Sequence, residues 1–240
     1  MARIDGRKND ELRPIEIIPD INKFAEGSCL IRCGNTHVLC TASVEDRTPP
    51  HVKEGCGWVT AEYSMLPRAN RERSKRDVSK LKLAPRSAEI QRLVGRSLRG
   101  AVDLEALGPR TITIDCDVLQ GDGGTRTASV TGGFVALVLA CRHLREQGLL
   151  TKLPIRNFVA GVSAGIVHSE AMLDLCYEED SRAMVDLNCI MNGNGNFIEI
   201  QGTGEGRAFT LEEEQKLLTL CAKGCRELIE QQKRLLGELV

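Results

Sequence analysis

Gly121-Asp122-Gly123-Gly124-Thr125-Arg126, set between a strand-like and a helix-like segment, is the strongest local pattern of chemistry in the sequence. Glycines let the backbone turn so that successive N–H groups converge on one concave point. A helix that follows adds the positive end of its dipole. Thr125 brings a hydroxyl and Arg126 a fork of charged donors, a set suited to a tetrahedral oxyanion. No Gly-Lys-Ser/Thr follows, so this is not a Walker loop. Arg126 stands where a dinucleotide fingerprint carries its third glycine. On the local pattern alone, an ordinary tight turn and an anion site are equally good readings.

Two further stretches carry charge in a form that chemistry can use. Between Arg68 and Arg86 stand eight basic residues (among them Arg71, Arg73, Lys75, Arg76, Lys80 and Lys82) against only Glu72 and Asp77. Guanidinium groups on a loop suit a phosphodiester backbone, and each phosphate neutralised makes binding more salt-sensitive. No aromatic residue interleaves with them, so base stacking is not the grip. A solvated face is the competing reading. The second stretch runs from Tyr177 through Glu178, Glu179 and Asp180 to Asp186. A carboxylate on one strand face can hold a divalent ion or move a proton. Six residues of straight strand would hold Asp180 and Asp186 roughly 20 Å apart. They share a site only if 177–181 folds back as a turn; otherwise this is an acidic turn beside a solvent-facing strand.

The elements that must position these groups are legible from periodicity. Segments at Ile15–Ile18, Ser28–Cys33, His37–Val44 and Trp58–Met65 read as strands broken by Gly, Asn or Pro. The stretch 66–84 is too irregular for a helix face and too charged for a core strand. Ser87 can cap a helix in which Ile90, Leu93, Val94, Leu98 and Val102 recur at helical spacing. Arg110–Leu119 alternates Ile112, Ile114, Cys116 and Val118 against Thr and Asp, a half-buried strand. A helix from about Ser129 to Gln147 is apolar almost all round and belongs in the middle of the fold. Strands near Phe158–Val167, Ala171–Cys176, Arg182–Met191 and Phe197–Gln201 follow, with Asn192–Gly195 as a hairpin turn. In the third of these, Asp186, Asn188 and Ile190 are expected on the face opposite Val185, Leu187, Cys189 and Met191. An amphipathic helix from about Leu211 to Leu236 closes the chain. No linker divides it, so a single α+β unit over 1–240 is expected.

Composition narrows the class. The 240 residues carry a net charge of −1 and are 42% hydrophobic, enough chain to bury around 70% of its unfolded surface. The first residues are charged where a signal peptide would be apolar. The longest apolar run, Phe134–Cys141, falls far short of the ~20 residues that span a bilayer. Ten cysteines show no C-x-x-C spacing and sit mostly in apolar patterns, which implies free buried thiols in a reducing compartment. Four scattered histidines offer no ligand pair and no Ser-His or Cys-His nucleophile. A cytoplasmic protein with no membrane attachment is expected.

Read together, these segments resemble the ribonuclease PH family of phosphorolytic exoribonucleases over essentially the whole chain. Arg3-Ile-Asp5-Gly6-Arg7 with Leu12-Arg13-Pro14-Ile15 is similar to that family's start, and Gly57–Pro67 to its motif before the basic loop. Glu89–Arg99 matches its first helix, Gln120–Arg126 its phosphate loop, and Asp174–Asp180 with Asp186 and Asn188 its acidic motif. Each motif alone is unspecific; the combination is specific.

The resemblance implies a fold of two fused βα units like domain 2 of ribosomal protein S5, and a homo-oligomer, a hexamer built as a trimer of dimers. It implies trimming of the 3′ ends of transfer RNA precursors and other RNAs with inorganic phosphate, releasing nucleoside 5′-diphosphates. By matching positions, Arg86, Gly124, Thr125 and Arg126 hold phosphate. Asp180 and Asp186 bind Mg2+ or handle the proton, so Asp180, Asp186 and Arg126 are the catalytic set. Arg68, Arg73 and Arg76, with Arg71 and Arg92 beside them, line the RNA path. The chief rival is a non-catalytic RNA-binding ring subunit, which would lose the phosphate arginines or the acids. A hydrolytic metal nuclease would need more clustered carboxylates, and a small-molecule kinase a longer Gly/Ser-rich loop.

Overall fold

Ile112, Ile114, Cys116 and Val118 all turn inward from β5 (Thr111–Gln120) and are buried, as the alternation requires. β5 is the hinge of a five-stranded sheet. The computed structural model describes residues 3–76 and 84–239. In it β1 (Ile15–Pro19), β2 (Gly27–Cys33) and β3 (Thr36–Glu45) form an antiparallel meander, followed by β4 (Trp58–Met65). The order across the sheet is β1-β2-β3-β5-β4, with β4 parallel to β5. A parallel pair needs a crossover, and α1 (Pro85–Arg99) with the short α2 (Leu104–Leu107) supplies it.

The second sheet is antiparallel throughout, in the order β7-β6-β8-β9. Its members are β6 (Val159–Val167), β7 (Glu170–Leu173), β8 (Val185–Asn192) and β9 (Phe197–Thr203). One turn of helix, α4 (Tyr177–Asp180), precedes β8, and α5 (Leu211–Leu236) ends the chain. Between the sheets runs α3 (Thr125–Glu146), packed on β2 and β3 on one side and β6 on the other. By length and hydropathy α3 could cross a bilayer, but most of it is covered by the rest of the protein. α5 lies over β6, β7 and β8. Gln232, fully buried on α5, donates from Nε2 to Thr131 O (3.1 Å) and Val159 O (2.9 Å), tying α5 to α3 and β6.

Several boundaries differ from the sequence expectations for identifiable reasons. α3 begins at Thr125 rather than Ser129, because Gly124 adopts a left-handed conformation (φ 65°) and ends the turn itself. Thr125 and Arg126 therefore belong to the first helical turn, not to the loop. α1 starts at Pro85 after Ala84, so Ser87 sits inside the first turn instead of capping it; proline's fixed φ suits that first position. β7 stops at Leu173, because Asp174 turns the chain with φ 53°. β8 begins three residues later than expected and is buried on both faces from Leu187 to Met191, Asn188 and Ile190 included. Cover from both sides replaces the expected alternation. Asn192–Gly195 does form the β8–β9 turn. All ten cysteines are free; eight are buried, while Cys56 and Cys176 are partly exposed.

Candidate active site

The glycine turn leaves β5 and runs into α3 with four successive backbone donors uncommitted. The N–H groups of Gly123, Gly124, Thr125 and Arg126 have no partner among the described residues; the first helical bond of α3 runs from Ala128 N–H to Gly124 O. Gly123 (φ 78°) is irreplaceable for a second reason. A Cβ there would stand 2.4 Å from Leu175 O and 2.9 Å from Cys176 C, so its backbone lies directly on the strand exit that leads to α4. That contact brings the turn against the acidic segment, more than 50 residues away in sequence.

Thr125 is buried, and its Oγ1 lies 2.9 Å from the hydroxyl of Tyr63 on β4. Arg126 is mostly shielded; its Nη1 donates to Glu89 Oε1 (3.0 Å) and Gln201 Oε1 (2.8 Å). Arg86, exposed in the first turn of α1, faces the same space, since both it and Arg126 act electrostatically on Tyr63 and on Asp180.

The acids meet because residues 177–180 form a helical turn that reverses the chain. A buried bidentate pair holds this turn: Arg3 donates from Nε and Nη2 to the two oxygens of Glu179 at 2.8 and 2.6 Å. Glu179 in turn accepts from Cys176 N–H (3.1 Å) as part of a capping box. Burial raises the pKa of Asp180 against the pull of Arg86 and Arg126. Burial and the neighbouring Asp180 push Asp186 up to about 6, while Arg126 and a hydrogen bond from Asn188 Nδ2 (3.0 Å) oppose the rise. Glu205, in the loop after β9, adds negative charge to both. Backbone register explains its placement: Thr203 pairs with Asp186, and Gly206 N–H donates to Met184 O, so the loop folds back over the start of β8.

Family models place this arrangement. Residues 11–142 match domain 1 of the 3′ exoribonuclease family and residues 157–224 match its domain 2. The chain belongs to the 3′ exoribonuclease family. A ribonuclease PH from Syntrophomonas wolfei subsp. wolfei is 52% identical over 238 residues, covering 99% of this chain and all of that one. Among solved structures, the Archaeoglobus fulgidus exosome with RNA bound to its active site aligns with TM-score 0.83 and 26% identity, over 96% of this chain and 92% of that one. Rice (Oryza sativa) Rrp46 aligns with TM-score 0.80 over 98% and 100% of the two chains, at 16% identity, and so speaks to the fold alone. The α+β architecture with two sheets and an intervening helix is that of the ribonuclease PH fold.

Of the expected site residues, Gly124, Thr125 and Arg126 stand together at the start of α3, Arg126 acts on both Asp180 and Asp186, and Arg86 acts on Asp180. Arg68, Arg71 and Arg73 are exposed on the loop after β4, whose base is tied to the glycine turn by Gly121 N–H donating to Ala69 O (2.8 Å). Arg76 is also exposed but acts on Asp117 of β5. Lys80 and Lys82 lie outside the described residues. Arg92 stands apart from the acids, lining a groove of about 210 Å³ with Arg96 and Arg99. Sequence reading passed over Tyr63, Thr36, Glu205 and Gln201 as site neighbours. Tyr63 lies inside a quoted motif, but nothing in the sequence marks its hydroxyl as the partner of Thr125. Glu205, flanked by Gly204 and Gly206, offered only a weak sign of a tight turn.

Proposed function

We propose that this chain trims the 3′ ends of transfer RNA precursors and other RNAs in the cytoplasm, as one subunit of a homohexamer built from three dimers. The reaction is phosphate-dependent removal of nucleotides from RNA 3′ ends, a nucleotidyl transfer. A phosphate oxygen attacks the phosphorus of the terminal phosphodiester, the bond to the preceding 3′ oxygen breaks, and that oxygen takes a proton. A nucleoside 5′-diphosphate and an RNA one nucleotide shorter leave. Two anions must be brought together, so the protein's task is neutralisation and alignment.

One observation carries the reading: Arg126, in the first turn of α3 beside the glycine turn, acts on both Asp180 and Asp186, and Arg86 acts on Asp180 as well. Gly124, Thr125, Arg126 and Arg86 hold the attacking phosphate in this reading. Asp180 and Asp186 hold Mg2+. Two carboxylates with raised pKa values suit a hard dication, which would relieve their mutual repulsion. Among the described residues no cluster of three ligand-type side chains has binding geometry, so water and substrate oxygens would complete the shell, as Mg2+ commonly allows. Held there, the ion would offset the negative charge that develops at phosphorus-bound oxygens. Asp180 serves either as its ligand or as the proton donor to the departing oxygen. Arg68, Arg71, Arg73 and Arg76 guide the RNA backbone toward the turn, with Arg92 further along α1. A silent ring subunit is not favoured, because the phosphate arginines and both acids are present and converge.

The deciding assay incubates the protein with 3′-extended transfer RNA and Mg2+, with and without phosphate, and identifies the released nucleotides. Diphosphates appearing only with phosphate are expected. Monophosphates released regardless of phosphate would mean hydrolysis, and sedimentation as a monomer would refute the ring.

A further inference from the structure

The glycine turn does not hold its own shape; two side chains behind it do. Thr36, fully buried at the start of β3, accepts from Asp122 N–H at 2.9 Å and donates its hydroxyl to Gly123 O at 2.6 Å. Arg13, also buried, donates from Nη1 to Asp122 O (2.5 Å) and from Nη2 toward Gly123 O (3.4 Å). Nη1 also reaches Thr36 Oγ1 at 3.5 Å, while toward Asp174 Nε reaches Oδ2 at 3.0 Å and Nη2 reaches Oδ1 at 2.7 Å. The Arg13 N–H also donates to Asp174 Oδ2 at 2.8 Å. Burial works against both charges, yet each holds the other ionised: Arg13 keeps Asp174 below the usual carboxylate range, and Asp174 raises Arg13.

A planar trans peptide points its carbonyl and the following N–H in opposite directions. With the carbonyls of Asp122 and Gly123 turned back onto Arg13 and Thr36, the N–H groups of Gly123 and Gly124 must face away from them, toward the side where α3 begins. Gly124 is left-handed (φ 65°) and Thr125 starts the right-handed α3, the alternation of hand in which successive N–H groups converge and can receive an anion. Asp174 extends the clamp, because the chain runs from it straight into the Leu175–Tyr177 backbone that lies on Gly123.

We propose that Thr36 and Arg13 are positioning residues that set the affinity for inorganic phosphate by fixing the two peptide groups that receive it. The proposal rests on the phosphorolytic reading above. Thr36 acts on the turn directly and touches its second support, Arg13, only through the 3.5 Å contact to Nη1. Arg13, through Asp174, also sets the spacing between the turn and the acids on α4 and β8.

The test measures initial rates of phosphorolysis, varying phosphate at saturating RNA and then RNA at saturating phosphate. Thr36→Val keeps the shape and removes the hydroxyl. It is expected to raise KM for phosphate by about tenfold, the scale of one orienting hydrogen bond, with KM for RNA and kcat within about twofold. Thr36→Ser is expected to restore the wild-type value. Arg13→Lys keeps the charge against Asp174 but cannot span both carbonyls, and is expected to raise KM for phosphate and lower kcat together. If Arg13→Lys does not fold, the Thr36 pair decides alone. An unchanged phosphate KM in Thr36→Val, an equal rise in both KM values, or failure of serine to rescue would overturn the proposal. Wild-type protein that releases monophosphates without phosphate would instead overturn the phosphorolytic reading.

Discussion

Replacing Asp186 by asparagine should make the metal-free protein more stable, and more so at high pH. The carboxyl is partly buried, beside Asp180, and its pKa is pushed up to about 6 against 3.8 for a free side chain. The native state therefore binds this proton more tightly than the unfolded chain does. Stability must fall as pH rises from about 4 through 6, and the full penalty is present above that. A rise of about two units is worth roughly 3 kcal/mol at pH 8, of which about half is already present at pH 5. Screening by solvent at the exposed part of the group reduces it, so a gain of about 1.5–3 kcal/mol at pH 8 is expected. For a chain of this size that is roughly 4–10 °C in Tm. Asparagine keeps an oxygen to accept from Asn188 Nδ2, so the local hydrogen bond survives. Thermal melts of both proteins in EDTA between pH 5 and 8 measure the effect, alongside phosphorolysis, which the substitution should abolish. A destabilised variant at pH 8, or a gain that does not change with pH, would refute the account of a strained acid pair.

Other expectations follow from the same geometry. Arg126→Ala should slow phosphorolysis about 10²–10³-fold at saturating RNA and phosphate, the scale for losing a transition-state donor; near-normal rates would remove Arg126 from the site. Replacing Arg73 and Arg76 should weaken RNA binding and flatten its dependence on salt, and an unchanged salt slope would count against the loop. Gly123→Ala forces a Cβ onto Leu175 O and a left-handed φ on alanine, so both phosphate use and Tm should drop; wild-type behaviour would mean the turn is not pinned. Because α3 packs on both sheets, calorimetry should show one unfolding transition for the whole chain, and two resolved transitions would divide it.

How far the sequence went can be judged from particular residues. β4 and α5 fall at Trp58–Met65 and Leu211–Leu236 as periodicity predicts, because apolar spacing there is set by a single covered face. β8 defeated the same rule. From Leu187 to Met191 it is covered on both sides, so Asn188 and Ile190 are buried where the alternation expects an open face. The start of α3 was missed by four residues, since only the left-handed conformation of Gly124 decides where turn becomes helix.

The chemical alphabet of the site, two arginines, a glycine turn and two aspartates, stood in the sequence by itself, because ionisable and conformational properties belong to residue types. Whether those groups meet did not. Asp180 and Asp186 come together through a single helical turn held by Arg3 on Glu179, more than 170 positions away. The turn's N–H groups point outward because Thr36 and Arg13 grip its carbonyls from behind. Contacts of that separation leave no periodic trace in a chain, and they shift pKa values and aim peptide dipoles only once the backbone has closed around them.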